Sequence, residues 1–205
     1  VSRDYTNALC ISGTHGKTTT TSMCTHILMA AEREPTVMIG GTLPMLHSGY
    51  RVGKGDTIVM ESCEYYNSFL YFAPTVAVTL NIEEDHMDFF KDLDDIKNSF
   101  RKFASLVPPG GSFIANREDE NTMDALAPLN REIFTFGLQP GVDVYAANIR
   151  QMGPGTEFDV MYTDEVYTHV TLHVPGIHNV KNALAASAAA ICLGISPSAI
   201  RYGLA

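Results

Sequence analysis

Residues 8–21 read Ala-Leu-Cys-Ile-Ser-Gly-Thr-His-Gly-Lys-Thr-Thr-Thr-Thr, an apolar run followed by a glycine-containing turn and a helix start. The apolar residues 8–12 predict a buried strand, and residues 16–31 predict a helix. Glycines let the connecting backbone turn its N–H groups toward an anion, and the helix N-terminus adds the positive end of its dipole. The stretch therefore predicts a phosphate-binding loop between a strand and a helix.

Two side chains of this loop suit a nucleotide. Lys17 supplies a point charge for a terminal phosphate, and the Thr18 hydroxyl can ligate Mg²⁺. The usual P-loop spacing would place a glycine at position 11, which is Ile11 here, so the first loop glycine is Gly13 and the loop is a shorter variant. Four successive threonines, residues 18–21, are weak helix formers and indicate a site constraint. The alternative is a plain strand–helix connector with an exposed lysine.

The remaining chain predicts an α/β fold with a mostly parallel P-loop-type sheet flanked by helices. Further strands are predicted at 36–39, 57–60, 76–80, 112–115 and 133–136, and helices at 93–106 and near 120–126. A loop is predicted at 40–55. Beyond residue 137, three strand-like runs predict a small three-stranded antiparallel meander at about 142–174. An Ala-rich helix at 179–193 and a last helix after Ser196 complete the prediction.

Composition excludes several classes of protein. The chain has 205 residues, with 14 Lys and Arg against 23 Asp and Glu and a net charge of −9. Such an acidic chain is a poor nucleic-acid binder or polybasic membrane binder. It has no apolar run of about 18 residues, and its four cysteines show no C-x-x-C spacing, which indicates a reducing cytoplasm. The missing initiator Met and the abrupt end led us to expect a piece of a longer protein.

Two more predicted strands deliver polar groups at their carboxyl ends, where ligands bind in open α/β sheets. Glu61 follows the strand at 57–60, in the position of a metal-holding acid beside a P-loop; a solvated Glu is the alternative. His86 lies in Asn-Ile-Glu-Glu-Asp-His-Met-Asp, residues 81–88, and could ligate a second cation. Because Mg²⁺ prefers oxygen ligands, Mn²⁺ would suit an imidazole as well. An acidic loop that caps the next helix remains the alternative.

The start of the Ala-rich helix is the last candidate site. His178 and Asn182 are four residues apart and Asn179 and Asn182 three apart, so we expect one helix face to carry them. An Asn amide has a donor and an acceptor, which suits an adenine edge. The alternative is an Asn N-cap with a bystander histidine.

These motifs together resemble the Mur ligases of bacterial cell-wall synthesis, over nearly the whole chain. The loop at 13–21 and the segments at 81–88 and 176–184 look most like the branch that joins L-alanine to UDP-N-acetylmuramate. The resemblance implies that residues 1–205 form the central ATP-binding domain, with the meander belonging to it. It also implies an N-terminal UDP-binding domain and a C-terminal domain outside this chain.

The resemblance further implies the roles of individual residues. Lys17 would hold the γ-phosphate of ATP, Thr18 and Glu61 one Mg²⁺, and His86 a second cation, and these three, Lys17, Glu61 and His86, would be catalytic. The residues implied to bind nucleotide are Gly13, Thr14, His15, Gly16, Lys17, Thr18, Thr19, His178, Asn179 and Asn182. The sequence leaves two roles open for His15, contact with substrate or shaping of the turn.

The chain departs from the family in two places. The segment at 62–69, after Glu61, is poorer in Asp than is usual in alanine-adding ligases. Several Mur ligases carry a carbamylated lysine in the helix after the His-Met-Asp segment; the matching register here falls near Phe100 and Arg101, with Lys97 and Lys102 close by. The alanine-adding branch generally lacks that lysine, which agrees with this sequence.

The implied reaction is amide-bond formation through an acyl phosphate. The γ-phosphoryl group moves to the carboxylate of the UDP-sugar, and the amine of L-alanine then displaces phosphate. Lys17 and two cations would screen the repulsion between carboxylate and triphosphate. The alternatives are another Mur-type ligase, such as the tripeptide-recycling enzyme, a P-loop phosphotransferase, and a nucleotide-binding module without catalysis. A GTPase would carry an Asn-Lys-x-Asp run, and none is present.

Overall fold

One ten-stranded sheet forms the centre of the computed structural model, which describes all residues, Val1–Ala205. Its strands in chain order are β1 (Asn7–Ser12), β2 (Thr36–Leu43), β3 (Ser48–Arg51), β4 (Thr57–Glu61), β5 (Val76–Thr79), β6 (Ser112–Asn116), β7 (Ile133–Gly137), β8 (Val144–Met152), β9 (Gly155–Tyr162) and β10 (Glu165–Leu172). Their spatial order is β10-β9-β8-β7-β6-β5-β1-β4-β2-β3. In this spatial order every neighbouring pair between β8 and β2 is parallel, whereas the outer pairs β2–β3, β8–β9 and β9–β10 are antiparallel. The predicted fold class is confirmed.

Helices cover both faces of this sheet. They are α1 (Lys17–Ala30), α2 (Leu93–Ser105), α3 (Glu120–Leu126), α4 (Ile177–Cys192) and α5 (Pro197–Leu204). Short 3₁₀ turns occupy Ser2–Asp4, Pro44–Leu46, Tyr65–Tyr71 and Ala127–Leu129. No helix is both long and apolar enough to cross a membrane.

The alternation of side chains along β1 explains why two cores form. Leu9 and Ile11 join a core with α1, α4 and α5, whereas Ala8 and Cys10 join a second core with α2 and α3. Successive strand residues point to opposite faces, so a strand buried on both faces reads as an unbroken apolar run. This is why β1 could be recognised in the sequence.

The loop predicted at 40–55 is wrong in part. Strand β2 continues to Leu43, and β3 pairs with it as an antiparallel edge strand. A Cβ on Gly49 would stand 2.9 Å from the Gly41 carbonyl oxygen, so the two backbones approach closely. Glycine in a strand marks such an approach, and here it hid the strand from a reading based on propensity.

The meander of β8, β9 and β10 extends the main sheet instead of standing apart from it. Strand β8 pairs in parallel with β7 through Phe136 and Val144. Helix α4 packs against β6, β7 and β8, and its alanines share one core with Val144 and Phe158. Because alanine is small, the helix can lie close to the sheet, and its Gly176 end is thereby fixed beside the carboxyl ends of the strands.

Candidate nucleotide and cation site

The loop at 13–16 connects β1 to α1 at the carboxyl edge of the sheet, and its two glycines have backbone angles that favour glycine. Gly13 has φ +145°, and a Cβ there would stand 2.9 Å from the Leu80 Cβ. Gly16 has φ +89° at the N-cap of α1, and a Cβ there would stand 2.6 Å from the Asn182 Oδ1. The first N–H groups of a helix have no intrahelical partner. The tight turn therefore aims the start of α1 at the sheet edge, as an anion site requires.

The segment that follows β5 clamps the loop. Asn81 accepts a hydrogen bond from the His15 N–H at 2.8 Å with its Oδ1, and its Nδ2 donates to the His15 carbonyl at 2.9 Å. The Asn81 carbonyl accepts from the Thr14 N–H at 3.0 Å, and the Glu83 N–H donates to the Thr14 Oγ1 at 2.9 Å. Because its polar groups are already bonded, the loop is held in shape without a ligand.

Lys17 bends back over the loop. Its Nζ donates to the Gly13 carbonyl at 2.6 Å and to the Thr14 carbonyl at 3.2 Å, and it lies 3.3 Å from the Glu64 Oε2. The side chain is 12% exposed, so the ammonium has little access to water. A phosphate bound on the loop would replace the two neutral carbonyl partners of the ammonium with a charged one.

Thr18 and Glu61 form the second part of the site. The Thr18 Oγ1 donates to the Glu61 Oε1 at 2.9 Å, and the Gly40 N–H donates to the Glu61 Oε2 at 2.7 Å. Adjacent oxygen ligands of octahedral Mg²⁺, each about 2.1 Å from the ion, lie roughly 3.0 Å apart. This oxygen pair fits Mg²⁺, provided that the hydroxyl proton turns away from the carboxylate when the ion binds.

A second cluster of cation ligands adjoins Lys17. One ligand atom from each of Glu64, Asp85 and His86 lies within 4.8 Å of the others. The His86 Nε2 is 3.7 Å from the Glu64 Oε1 and 3.8 Å from the Asp85 Oδ2. Glu64 is 2% exposed, and its Oε1 has no hydrogen-bond partner. A buried carboxylate oxygen without a partner is costly, so the donor set fits a cation.

Tyr65 and Asp88 orient the His86 ring. The Tyr65 ring stacks on the imidazole with centroids 4.3 Å apart, and its hydroxyl donates to the Asp88 Oδ2 at 2.5 Å. The hydrogen bond to the Asp88 carboxylate raises the pKa of the Tyr65 phenol because it stabilises the protonated form. His86 itself has φ +53°, an uncommon angle for a residue other than glycine. This strain lies at the proposed cation ligand, as is frequent at functional sites.

A cavity of about 240 Å³ opens beside the phosphate loop. It is lined by His15, Gly16, Leu80, Asn81, Asn116, Phe136, His178, Lys181 and Asn182. Leu80 and Phe136 give apolar walls, whereas Asn81, Asn116 and Asn182 give amide donors and acceptors. Such a mixture suits a flat heterocyclic base with polar edges.

Asn179 lies apart from this cavity, although it shares the first turn of α4 with His178. Its Nδ2 donates to the Pro175 carbonyl at 2.6 Å. Its side chain lines a different cavity, with Thr18 and Thr19. His178 and Asn182, one helical turn apart, line the same cavity, whereas Asn179, about 60° around the helix axis from Asn182, lines the neighbouring one. The expectation that Asn179 binds nucleotide together with them stays a prediction.

The residues that follow β1, β4 and β5 meet at one edge of the sheet, as the sequence predicts. Lys17 and His86 both contact Glu64, and Thr18 contacts Glu61. A model of the Mur ligase middle domain matches residues 11–190. The chain belongs to the Mur ligase middle-domain family.

Its curated relatives include L-alanine-adding ligases of this family. The UDP-N-acetylmuramate–L-alanine ligase of Caldicellulosiruptor bescii is 45% identical over 203 residues, which cover 98% of this chain and 45% of that protein. The ligase of the same name from Clostridium perfringens is 42% identical, over 95% of this chain and 42% of that protein. The chain thus spans less than half the length of these Mur ligases.

Solved Mur ligase structures share the fold. The UDP-N-acetylmuramate:L-alanyl-gamma-D-glutamyl-meso-diaminopimelate ligase from Neisseria meningitides has a TM-score of 0.86 and 27% identity, covering 100% of this chain and 66% of that one. The UDP-N-acetylmuramate–alanine ligase of Thermotoga maritima has a TM-score of 0.84 and 28% identity, covering 98% and 45%. The predicted family resemblance is confirmed.

Sequence reasoning missed two residues of the site. The motif at 81–88 by itself assigns no role to Asn81, although its position just beyond the end of β5 is a usable signal. Glu64 was left without a role, because nothing in a sequence shows that a carboxylate three residues beyond a strand turns inward to contact Lys17.

Proposed function

We propose that the protein carrying this chain is an ATP-dependent ligase that joins L-alanine to UDP-N-acetylmuramate in peptidoglycan precursor synthesis. The observation that carries the proposal is the convergence of Lys17, Thr18, Glu61 and His86 on one sheet edge beside a cavity suited to a base. Similarity of up to 45% to ligases with that name supports the choice of substrates.

In this proposal residues 1–205 form one middle domain that includes the meander, with UDP-sugar and amino-acid contacts supplied mainly by other parts of the protein. Continuity of the sheet from β7 into β8 supports a single unit. The protein would work in the cytoplasm on small molecules, without nucleic-acid or membrane partners. All four cysteines are free, which is compatible with a reducing compartment.

We assign the nucleotide-binding roles as follows. The N–H groups at the start of α1 and Lys17 hold the phosphates, and the base enters the cavity between His178, Asn182 and Phe136. Thr18 and Glu61 would hold one Mg²⁺, and His86 would help to hold a second Mg²⁺ or Mn²⁺. When bound, these ions neutralise phosphate charge.

The chain's own residues then favour transfer of the γ-phosphoryl group by positioning and charge. The substrate carboxylate and the triphosphate repel each other, and the Lys17 ammonium lowers that repulsion where they meet. The clamp from Asn81 fixes the loop, and the fixed loop holds the unpartnered N–H groups at the start of α1 toward the phosphates before ATP arrives, so little reorganisation is needed. The acyl phosphate that forms is the electrophile that the amine of L-alanine attacks.

An assay on the full-length protein tests the proposal. ATP, Mg²⁺ and UDP-N-acetylmuramate are supplied with L-alanine, L-serine, glycine or D-glutamate singly, and phosphate release and amide product are measured. We expect turnover with L-alanine and its loss in Lys17→Ala. Because Lys17 is the cation beside the buried Glu64 carboxylate, circular dichroism first establishes that the variant is folded. Turnover with another amino acid but not with L-alanine would overturn the substrate assignment, and wild-type turnover by Lys17→Ala would overturn the role of the loop.

One rival ligase is supported by a specific observation. The TM-score of 0.86 belongs to a ligase that joins a preformed tripeptide to UDP-N-acetylmuramate. Offering L-Ala-γ-D-Glu-meso-diaminopimelate in the same assay separates the two: product from the tripeptide and none from free L-alanine would favour the rival. Phosphoryl transfer without any amide product would instead indicate a P-loop phosphotransferase.

A further inference from the structure

Glu64 is the most unusual ionisable group of the site. Its carboxylate is 2% exposed, and only one of its oxygens is occupied, by the Lys17 ammonium at 3.3 Å. The other oxygen, Oε1, makes no hydrogen bond and points toward His86, whose Nε2 is 3.7 Å away. Buried carboxylates ordinarily satisfy both oxygens, so a partner for Oε1 is missing.

The surroundings of Oε1 are those of a divalent cation. Asp85 uses its Oδ1 to accept the His86 N–H at 2.7 Å, which leaves its Oδ2 free, 3.8 Å from the His86 Nε2. Ligands about 2.2 Å from one ion lie roughly 3.1 Å apart when adjacent and about 4.4 Å apart when opposite. The three ligand atoms already lie within 4.8 Å of one another, so a shift of a few tenths of an ångström would bring them onto one ion.

Charge leads to the same conclusion. Glu64 and Asp85 contribute two negative charges, and the Lys17 ammonium contacts only the first of them. Two carboxylates and one imidazole suit Mn²⁺ better than Mg²⁺, which prefers oxygen ligands alone. The Tyr65 ring stacked on His86 restricts the imidazole to this direction.

We propose that Glu64 is a direct cation ligand, and that with Asp85 and His86 it forms a site that takes Mn²⁺ before any nucleotide binds. Glu64 then bridges the ion through Oε1 and Lys17 through Oε2. This links the ion to the phosphate-binding lysine through a single carboxylate. The inference deepens the proposed function, on which it rests for the purpose of the ion.

The test is a titration of the full-length protein with Mn²⁺ alone, followed by electron paramagnetic resonance of free Mn²⁺. Echo-modulation spectra of the bound ion report coupling to a ligand nitrogen, which His86 would supply. We expect the affinity of the tightest site to fall at least tenfold in Glu64→Gln. The matched control Glu84→Gln, an exposed neighbour outside the cluster, stays within twofold of wild type. We expect the nitrogen coupling to vanish in His86→Asn.

Wild-type affinity in Glu64→Gln would overturn the inference and leave Glu64 as a counter-ion of Lys17 only. Absence of any bound Mn²⁺ at millimolar concentration, or nitrogen coupling that survives in His86→Asn, would also overturn it. If circular dichroism shows Glu64→Gln to be unfolded, Glu64→Asp, which keeps the charge and shortens the reach by one methylene, takes its place under the same criteria. Because the titration contains no nucleotide, a wild-type protein that fails to bind ATP would refute the proposed function and not this site.

Discussion

Gly16→Ala should destabilise the fold, because the added methyl group meets both an unfavourable backbone angle and the Asn182 side chain. Gly16 has φ +89°, and an added Cβ would stand 2.6 Å from the Asn182 Oδ1. Gly110 has nearly the same angle, φ +88°, but nothing lies within 4 Å of its Cβ position. Gly110→Ala therefore measures the backbone cost alone, and the difference between the two variants measures the steric contact with Asn182.

The magnitudes follow from these two positions. Alanine at a left-handed angle costs about 1–2 kcal/mol, offset by about 0.4–1 kcal/mol from the smaller entropy of the unfolded chain. We expect Gly110→Ala to lower the free energy of unfolding by about 1 kcal/mol. Gly16→Ala adds the cost of displacing the Asn182 amide, about 0.5–1.5 kcal/mol for a side chain turned out of its rotamer, and Asn182→Ala in that background should recover most of the added cost.

Urea titrations of the 205-residue chain, followed by circular dichroism, measure these differences, and a fluorescent ATP analogue reports nucleotide binding by the same variants. Binding should weaken in Gly16→Ala, because Asn182 must leave its place in the cavity wall, and remain unchanged in Gly110→Ala. Equal destabilisation by the two glycine variants, or no recovery from Asn182→Ala, would refute the assigned contact between the loop and α4.

Three further outcomes are expected. Asn81→Ala removes two hydrogen bonds to the His15 backbone and should cost about 1–3 kcal/mol of unfolding free energy while weakening binding of the ATP analogue; unchanged binding would contradict the clamp. Hydrogen bonds from Asn148 and, to a smaller extent, His169 lower the pKa of Asp159. The Asp159 carboxylate therefore stabilises the fold above about pH 4, and this stabilisation is lost as the pH falls through the lowered pKa. Asp159→Asn should lower the free energy of unfolding by about 1 kcal/mol at pH 7, and urea titrations should find a smaller difference from wild type below pH 4. Burial raises the pKa of Cys10 and Cys24 to about 12. A thiol reagent at pH 8 should therefore label neither cysteine in the native protein and both after unfolding. Rapid labelling of either cysteine in the native protein would contradict the packing of the core.

Much of the fold could be predicted because strands buried on both faces form unbroken apolar runs. Strands β1, β4 and β5 each delivered such a run, and the polar residue after each run could be placed at one sheet edge. The edge strand β3 was missed, since Ser48–Arg51 contains glycine and polar residues and forms a strand only because β2 lies beside it.

The site divides in the same way. The meeting of Lys17, Thr18, Glu61 and His86 at one sheet edge could be predicted, because each follows a recognisable element end. The cavity that Asn179 lines could not be predicted, since a spacing of three residues fixes the side of the helix and not the cavity that each side chain enters.

The sequence alone determined the phosphate loop, the parallel sheet and the family, because these depend on short-range order of apolar, glycine and polar residues. Only the tertiary structure decided that Glu64 turns inward to join Lys17 to His86 and that Asn81 closes on His15. Both contacts connect stretches of chain far apart in sequence, and local chemistry does not specify which distant group a buried carboxylate or amide will meet. Packing of the sheet and its helices brings those groups within bonding distance.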